Sequence, residues 1–265
     1  MIDQPQRDIG IVLSGGGTRG IAHIGVLRAL GEYGISPDCV AGVSAGAIVG
    51  ALYAAGYEWP EMLEFFVKKN PFRLSKVAIA KPGIIDTAKV VADFEEYFPE
   101  NSFEALGKGL RVVATDLIRG EAVEFHSGPL IAPVLASSSV PLMFTPMEID
   151  GRVLADGGIL SNFPTELLEG RCRALLGVHA GPIRELARSE LSSSLAVLKR
   201  ALEVGMFRAS EAKFATCDVV VRPDLDRFGI FDTKQVVAIE AAGYEGALEQ
   251  MPAIQEAVKQ SRLRA

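Results

Sequence analysis

The sequence predicts an α/β protein with a mainly parallel sheet, and three observations in its first 55 residues lead to this prediction. The run Ile9-Gly10-Ile11-Val12-Leu13 is almost continuously apolar, which is typical of a strand buried on both faces. Apolar residues at helical spacing follow over 21–30, and Cys39-Val40-Ala41 begins a second apolar run. Each run ends in a glycine-rich turn. The chain therefore begins with a strand, glycine loop, helix, strand, serine turn and helix.

The remainder of the chain continues this alternation of apolar runs and helical patterns. Further strands are predicted at 110–116, 121–125, 153–155, 174–179 and 218–221, the second of them antiparallel to the first. Further helices are predicted at 47–55, 61–69, 87–98, 129–138, 194–214 and 233–262. The helix over 194–214 is amphipathic, and the last helix should be interrupted near Gly243 and Pro252.

Composition limits the class of protein. The 265 residues contain no Pro/Ser-rich linker, so we expect one domain over 1–265. The net charge of −6 argues against nucleic-acid binding. Cys39, Cys172 and Cys217 have the spacing of neither a zinc site nor a disulfide framework, so they should be thiols in a reducing compartment. The start of the chain lacks the pattern of a signal peptide and no apolar run is long enough to span a membrane, so we expect a cytoplasmic protein.

Residues 58–106 read as a mostly helical, cap-like insertion within this domain. Its segment 68–81 contains five basic residues and no acid: Lys68, Lys69, Arg73, Lys76 and Lys81. Apolar residues are interleaved with them. Such a strip is compatible with a solvated connection or with peripheral contact at the inner, anionic membrane surface.

The loop after the first strand contains Gly15, Gly16, Gly17 and Gly20, with Arg19 as its only charge. Its spacing matches a dinucleotide fingerprint, but the acid that should end the second strand is absent. The alternative is an oxyanion hole, because backbone N–H groups without side chains can approach a developing negative charge. Arg19 could add positive charge there or pair at the surface.

The second strand leads into Gly42-Val43-Ser44-Ala45-Gly46. A strand-to-helix turn of this kind leaves no space for side chains beside the serine, so Gly42 and Gly46 let the neighbouring backbones approach. The helix that follows favours negative charge at its N-terminus. Ser44 is therefore the predicted nucleophile.

A serine nucleophile needs a base, and two residues compete for that role. His179 ends a predicted strand, and Ser44, Asp156 and His179 follow the chain order of α/β-hydrolase triads. Asp156, followed by Gly157 and Gly158, offers a carboxylate on an unhindered turn, although the same pattern also suits a surface hairpin. His23 and His126 are expected to be structural. On the residues alone, the choice between Asp156 and His179 stays open.

Taken together and in order, the blocks at 15–20, 42–46 and 156–158 resemble those of the patatin-like phospholipases. Further matches are Ala114-Thr115-Asp116-Leu117 with Gly120, and the run from Ala136 to Pro146. The resemblance spans about residues 9–165. Beyond them the chain matches only in general character.

The resemblance implies a three-layer α/β/α sandwich with a mainly parallel central sheet. It implies a Ser–Asp dyad, with Ser44 as nucleophile and Asp156 as general base, and an oxyanion site formed by Gly15, Gly16, Gly17 and Arg19. No metal or cofactor is implied. The expected substrate is the carboxylic ester of an acyl lipid, as in a phospholipase A or a lysophospholipase. Action on acyl-thioesters and a catalytically silent lipid-binding module are the alternatives.

Overall fold

A computed structural model describes residues 7–69, 90–230 and 232–263. The strands in these ranges are β1 (Arg7–Leu13), β2 (Cys39–Gly42), β3 (Gly109–Asp116), β4 (Glu121–Phe125), β5 (Met147–Ile149), β6 (Arg152–Asp156), β7 (Cys172–Val178) and β8 (Val219–Val221). The α-helices are α1 (Ala22–Glu32), α2 (Ala45–Ala54), α3 (Trp59–Lys68), α4 (Val91–Glu95), α5 (Ile131–Ser137), α6 (Gly158–Ser161), α7 (Ser194–Glu211) and α8 (Val236–Leu263).

The strands form a single mixed sheet with helices on both faces, which confirms the predicted fold class. Hydrogen-bonded neighbours follow the order β5-β6-β3-β2-β1-β7-β8, and β4 also pairs with β3. The central strands β3, β2, β1, β7 and β8 are parallel. Side chains alternate across β1: Ile11 and Leu13 face the larger core with α1, α2 and α8, whereas Val12 faces the smaller core of the opposite layer.

The pairing around β3 determines which chain ends meet. Both β4 and β6 are antiparallel to residues 114–116, so they must border opposite edges of β3. Strand β2 pairs with residues 109–112 and shares Val112 with β4, so β2 lies on the same edge as β6. Because β6 runs against β2 on that edge, the carboxyl ends of the two strands point at each other. Ser44 lies two residues after the end of β2, and Asp156 is the last residue of β6.

The prediction of an interrupted C-terminal helix is wrong, since α8 runs without a break through Gly243 and Pro252. Glycine serves close packing here: a Cβ on Gly243 would lie 1.9 Å from the Ala22 carbonyl oxygen of α1. Proline inside a helix costs about 3 kcal/mol. Buried side chains on both sides of it, Met251 and Ile254, contribute about 1.5–3 kcal/mol each and offset that cost.

The described residues of the 58–106 insertion pack into the main core through Phe65 of α3 and Phe94 of α4, whose rings meet edge to face. In the basic strip, Lys68 and Lys69 pair with Glu64 and Glu96, respectively. Arg73, Lys76 and Lys81 lie outside the described residues, as does the start of the helix predicted at 87–98. Strand β5 was not predicted. No helix among the described residues combines the length and apolar character needed to cross a membrane.

Candidate active site

Ser44 occupies a strained turn between β2 and α2. Its backbone has φ 55° and ψ −127°, a region that residues other than glycine seldom adopt. Gly42 and Gly46 make the turn possible in the way the sequence predicts. A Cβ on Gly46 would lie 2.2 Å from the Leu13 carbonyl oxygen, and a Cβ on Gly42 would lie 2.5 Å from the Gly46 carbonyl oxygen, so neither position has space for a side chain. Strain of this kind persists only where the surroundings hold it.

The support for this strained turn comes from serines at the end of α5. The Ser44 N–H donates to Ser137 Oγ over 3.0 Å, and Ser138 Oγ donates to the Ser44 carbonyl oxygen over 3.1 Å. The carbonyl oxygens of Ser137 and Ser139 accept from the N–H groups of Gly157 and Asp156. The same three residues therefore hold both turns. The sequence offered a signal for them, three consecutive serines, but no role.

Asp156 ends β6, and its carboxylate lies close enough to the Ser44 side chain for Ser44 to influence its pKa. It is only 5% exposed, and its Oδ1 accepts from the Gly158 N–H over 2.7 Å. Burial raises the pKa of Asp156 to about 6, although the Ser44 side chain and the Gly158 N–H both favour the charged form. Position 157 has space only for glycine, because a Cβ added to Gly157 would lie 2.2 Å from the Val113 carbonyl oxygen. The structure thus brings Ser44 and Asp156 together in a desolvated place.

His179 does not take part in this contact. Its ring is buried among Phe163, Phe207 and Phe214, and its Nε2 has no hydrogen-bond partner among the described residues. Burial lowers its pKa to about 4, so the ring is neutral near pH 7. A base of a triad would need to touch the nucleophile.

The other two histidines lie apart from the Ser44–Asp156 contact. His23 is fully buried, and its Nε2 lies 2.8 Å from the Ser14 carbonyl oxygen at the start of the glycine loop. His126 is exposed near Glu124. Neither residue makes a hydrogen bond or an ion pair with Ser44 or Asp156 in the described ranges.

The glycine loop runs beside Ser44, but its three N–H groups differ. Gly15 donates to the Asn162 carbonyl oxygen over 3.2 Å, and a Cβ on Gly15 would lie 3.2 Å from the Ser44 Cβ. The N–H groups of Gly16 and Gly17 donate to no acceptor among the described residues. Gly17 has φ 59°, which glycine adopts without strain. These two amides are the donors that remain available to a ligand.

Arg19 is tied to a different part of the chain. Its Nε donates to the Phe228 carbonyl oxygen over 2.7 Å, and burial lowers its pKa. It makes no hydrogen bond or ion pair with Ser44 or Asp156 in the described part of the chain. Instead it lines a charged cavity of about 320 Å³ with residues that include Arg184, Lys199, Arg200, Glu203 and Asp226. Gly20 packs against the residue that follows Ser44, because a Cβ added to Gly20 would lie 2.4 Å from the Ala45 Cβ.

Asn162 is a site residue for which the sequence suggested no role. It is 7% exposed, and its Oδ1 has no hydrogen-bond partner among the described residues. A Cβ on Gly15 would lie 2.4 Å from this Oδ1 and one on Gly158 would lie 2.8 Å from it. The side chain thus stands between the glycine loop and the Asp-Gly-Gly turn, where only glycines leave space for it.

These features define an α/β protein in which a serine turn and an Asp-Gly-Gly turn meet at the end of β2. Residues 11–169 match the family model described as patatin-like phospholipase. The chain therefore belongs to the patatin-like phospholipase family, a family of carboxylic ester hydrolases, and the predicted resemblance is confirmed.

Curated relatives of this chain carry NTE and lysophospholipase names. An uncharacterized NTE family protein of Mycobacterium bovis is 37% identical over 185 residues, which are 67% of this chain and 51% of that protein. Lysophospholipase NTE1 of Saccharomyces cerevisiae is 31% identical over 196 residues, covering 71% of this chain and 12% of that protein. The chain thus spans about half the length of the mycobacterial relative.

The solved structure of VipD from Legionella pneumophila has the same fold. Its TM-score is 0.53 at 16% identity, and the match covers 96% of this chain and 67% of VipD. At this level of identity the likeness concerns the fold alone. It agrees with the mixed sheet and two helical layers described above.

Proposed function

We propose that this chain hydrolyses carboxylic esters of acyl lipids, as a phospholipase A or a lysophospholipase does, with Ser44 as nucleophile and Asp156 as general base. The observation that carries the proposal is the proximity of the Ser44 side chain to the buried Asp156 carboxylate, where the ends of β2 and β6 meet. Membership of the patatin-like phospholipase family and the name of the yeast relative support the substrate class.

In this mechanism Asp156 accepts the proton of the Ser44 hydroxyl as Oγ attacks the ester carbonyl carbon. The bond to the leaving alcohol then breaks, and the alcohol takes the proton from Asp156. Water next attacks the acyl-enzyme, losing a proton to the same carboxylate, and the fatty acid and free Ser44 are released. A carboxylate is a weak base at its ordinary pKa, so the raised pKa of Asp156 brings it closer to what the reaction needs.

The proposed oxyanion donors are the N–H groups of Gly16 and Gly17, the two amides of the loop that have no acceptor among the described residues. A donor of this kind contributes about 3–4 kcal/mol to a tetrahedral transition state. The Gly15 N–H already donates to Asn162, so in this arrangement Gly15 provides space beside Ser44.

A fluorophosphonate probe tests the proposed nucleophile. We expect the wild type and the Ser189→Ala control, which changes an exposed serine, to be labelled equally, whereas Ser44→Ala is not labelled. Labelling is read from an in-gel signal and from the mass of the modified peptide. Equal labelling of Ser44→Ala would exclude Ser44 as the nucleophile. A folded wild type that is neither labelled nor active on phospholipid, lysophospholipid or acyl-CoA would favour a binding module.

The pKa of Asp156 predicts how activity depends on pH. The base acts as a carboxylate, so kcat/KM for a soluble ester should be level at neutral pH and fall about tenfold per pH unit below about 6. Circular dichroism must accompany the measurement, because His23 and His179 have pKa values of about 4 in the folded protein. The unfolded chain binds protons on these residues at higher pH, so stability is lost as pH falls from about 6.5 towards 4. If kcat/KM of the folded protein stays constant between about pH 5 and 7, a range that brackets the Asp156 pKa of about 6, the proposed base with this pKa is contradicted.

A further inference from the structure

Helix α7 presents leucine side chains to solvent, while two of its charged side chains are turned towards the protein. Leu195, Leu198 and Leu202 are 62%, 50% and 55% exposed. The Arg200 and Glu203 side chains are only 20% and 32% exposed, and both line the charged cavity beneath the helix. A helix that packs on a soluble protein normally has the opposite arrangement.

The outward apolar surface is continuous along the helix. Leu195, Leu198 and Leu202 are spaced by three and four residues, which places them on one stripe of α7, and the exposed Leu191 precedes the helix. Val197 and Val204 of the same helix are also exposed. Only Phe207 and Ser210 of the 18 residues of α7 are buried. Exposed apolar surfaces of this extent mark interaction sites.

This surface, the α7 leucine face, adjoins the candidate active site. Phe207 of α7 contacts the His179 ring, and the Met206 methyl group would lie 3.0 Å from a Cβ on Gly158. Other exposed apolar residues lie at the same edge of the sheet. They follow β3, precede β5 or belong to α6 beside Asp156: Leu117, Ile118, Leu142, Ile159 and Leu160.

We propose that the α7 leucine face docks on the surface of a phospholipid bilayer and thereby holds the side of the protein that contains Ser44 and Asp156 next to its lipid substrate. This inference rests on the proposed function for its choice of partner. The exposed apolar residues belong to four separate elements, and a bilayer can receive them together without a matching shape. The exposed charged residues of α7 are two basic and one acidic, Lys199, Arg208 and Glu211, although the whole chain has a net charge of −6, so this side avoids much of the repulsion from anionic lipid.

A second copy of the chain is the other occupant to consider, because the leucine spacing also suits a helix pair. Such a partner would cover α7, whose Met206 lies next to the Asp-Gly-Gly turn. The exposed residues of the β3–β4 turn and of α6 would remain outside a two-helix contact. The bilayer accounts for both groups of residues.

The test measures co-sedimentation with vesicles of phosphatidylcholine that contain a minor fraction of phosphatidylglycerol. All proteins carry Ser44→Ala, so hydrolysis cannot alter the vesicles and the result is independent of catalysis. The leucine variant is Leu195→Gln/Leu202→Gln. The matched control, Val237→Gln/Leu263→Gln, changes two exposed apolar residues of α8. Glutamine is a good helix former, so both variants should fold.

We expect the parent protein and the α8 control to bind vesicles equally, and the leucine variant to bind about tenfold more weakly for each leucine replaced. In proteins that retain Ser44, the ratio of vesicle hydrolysis to soluble-ester hydrolysis should fall in the leucine variant and not in the control. Vesicle binding that is absent in the parent, or equal in both variants, would overturn the proposal. So would a lipid-free dimer that the leucine variant converts to a monomer. A parent that binds vesicles while the Ser44 protein hydrolyses no ester would reject the proposed function alone.

Discussion

Replacement of Asp156 by asparagine is expected to lower kcat about 100- to 10,000-fold while leaving the protein folded. Asparagine preserves the shape of the side chain and can still accept from the Gly158 N–H, but it cannot take a proton from Ser44. The measurement is steady-state hydrolysis of a soluble ester at pH 8 (about two units above the Asp156 pKa), where the wild-type carboxylate is ionised.

His179→Phe is the companion variant, because it tests the competing triad. The ring lies among Phe163, Phe207 and Phe214, and its Nε2 has no hydrogen-bond partner within the described ranges, so phenylalanine should be accommodated and most activity retained. A triad with His179 as base predicts the opposite pattern, in which His179→Phe is inactive and Asp156→Asn keeps part of its activity. The two variants together decide between the mechanisms.

The stability of Asp156→Asn separates a catalytic loss from unfolding. Below its ordinary pKa of about 3.8 the Asp156 carboxyl is protonated in both the folded and the unfolded chain, and it has no differential effect. As pH rises to about 6 the unfolded chain ionises first, and the cost to the folded state grows to about 3 kcal/mol. At neutral pH, urea unfolding should therefore show Asp156→Asn to be at least as stable as the wild type. An unstable variant would make the loss of activity uninformative.

Replacement of Gly17 by alanine is the second change with a large expected effect, a fall in kcat of about 100-fold with little change in KM. Gly17 has φ 59°, and a Cβ there would lie 2.3 Å from the Ile230 carbonyl oxygen. The Thr18 N–H donates to that same oxygen, so the loop must shift. A shift moves the proposed oxyanion donors away from the position where charge develops.

Gly34→Ala is the matched control for this change. Gly34 has φ 68°, so alanine meets a similar backbone cost of about 1 kcal/mol, but its Cβ would have no neighbour within 4 Å. We expect its kcat to equal that of the wild type. Equal kcat values for Gly17→Ala and the wild type would remove the glycine loop from the mechanism.

Much of the sheet and the serine turn could be predicted because their signals are local. The apolar run of β1 specifies a strand buried on both faces, and the short glycine-flanked turn at Ser44 leaves one compatible backbone path. Gly243 and Pro252 led to a wrong prediction of a break in α8, because their signals are also local. Their local preference for a break is outweighed by the packing of α8 against α1, which a pattern along one helix does not contain.

The sequence by itself indicated most of the strands and turns in their order, and the position of the serine turn at Ser44 after a glycine loop. It left Asp156 and His179 as rivals, since both follow predicted strands. Only the tertiary structure shows where each of them lies: β2 and β6 share one edge of β3 and point at each other, whereas the ring of His179 is enclosed by aromatic side chains. The direction of the α7 leucine face was likewise decided by the fold. Periodicity defines which residues share a stripe, but not which side of a helix meets the protein.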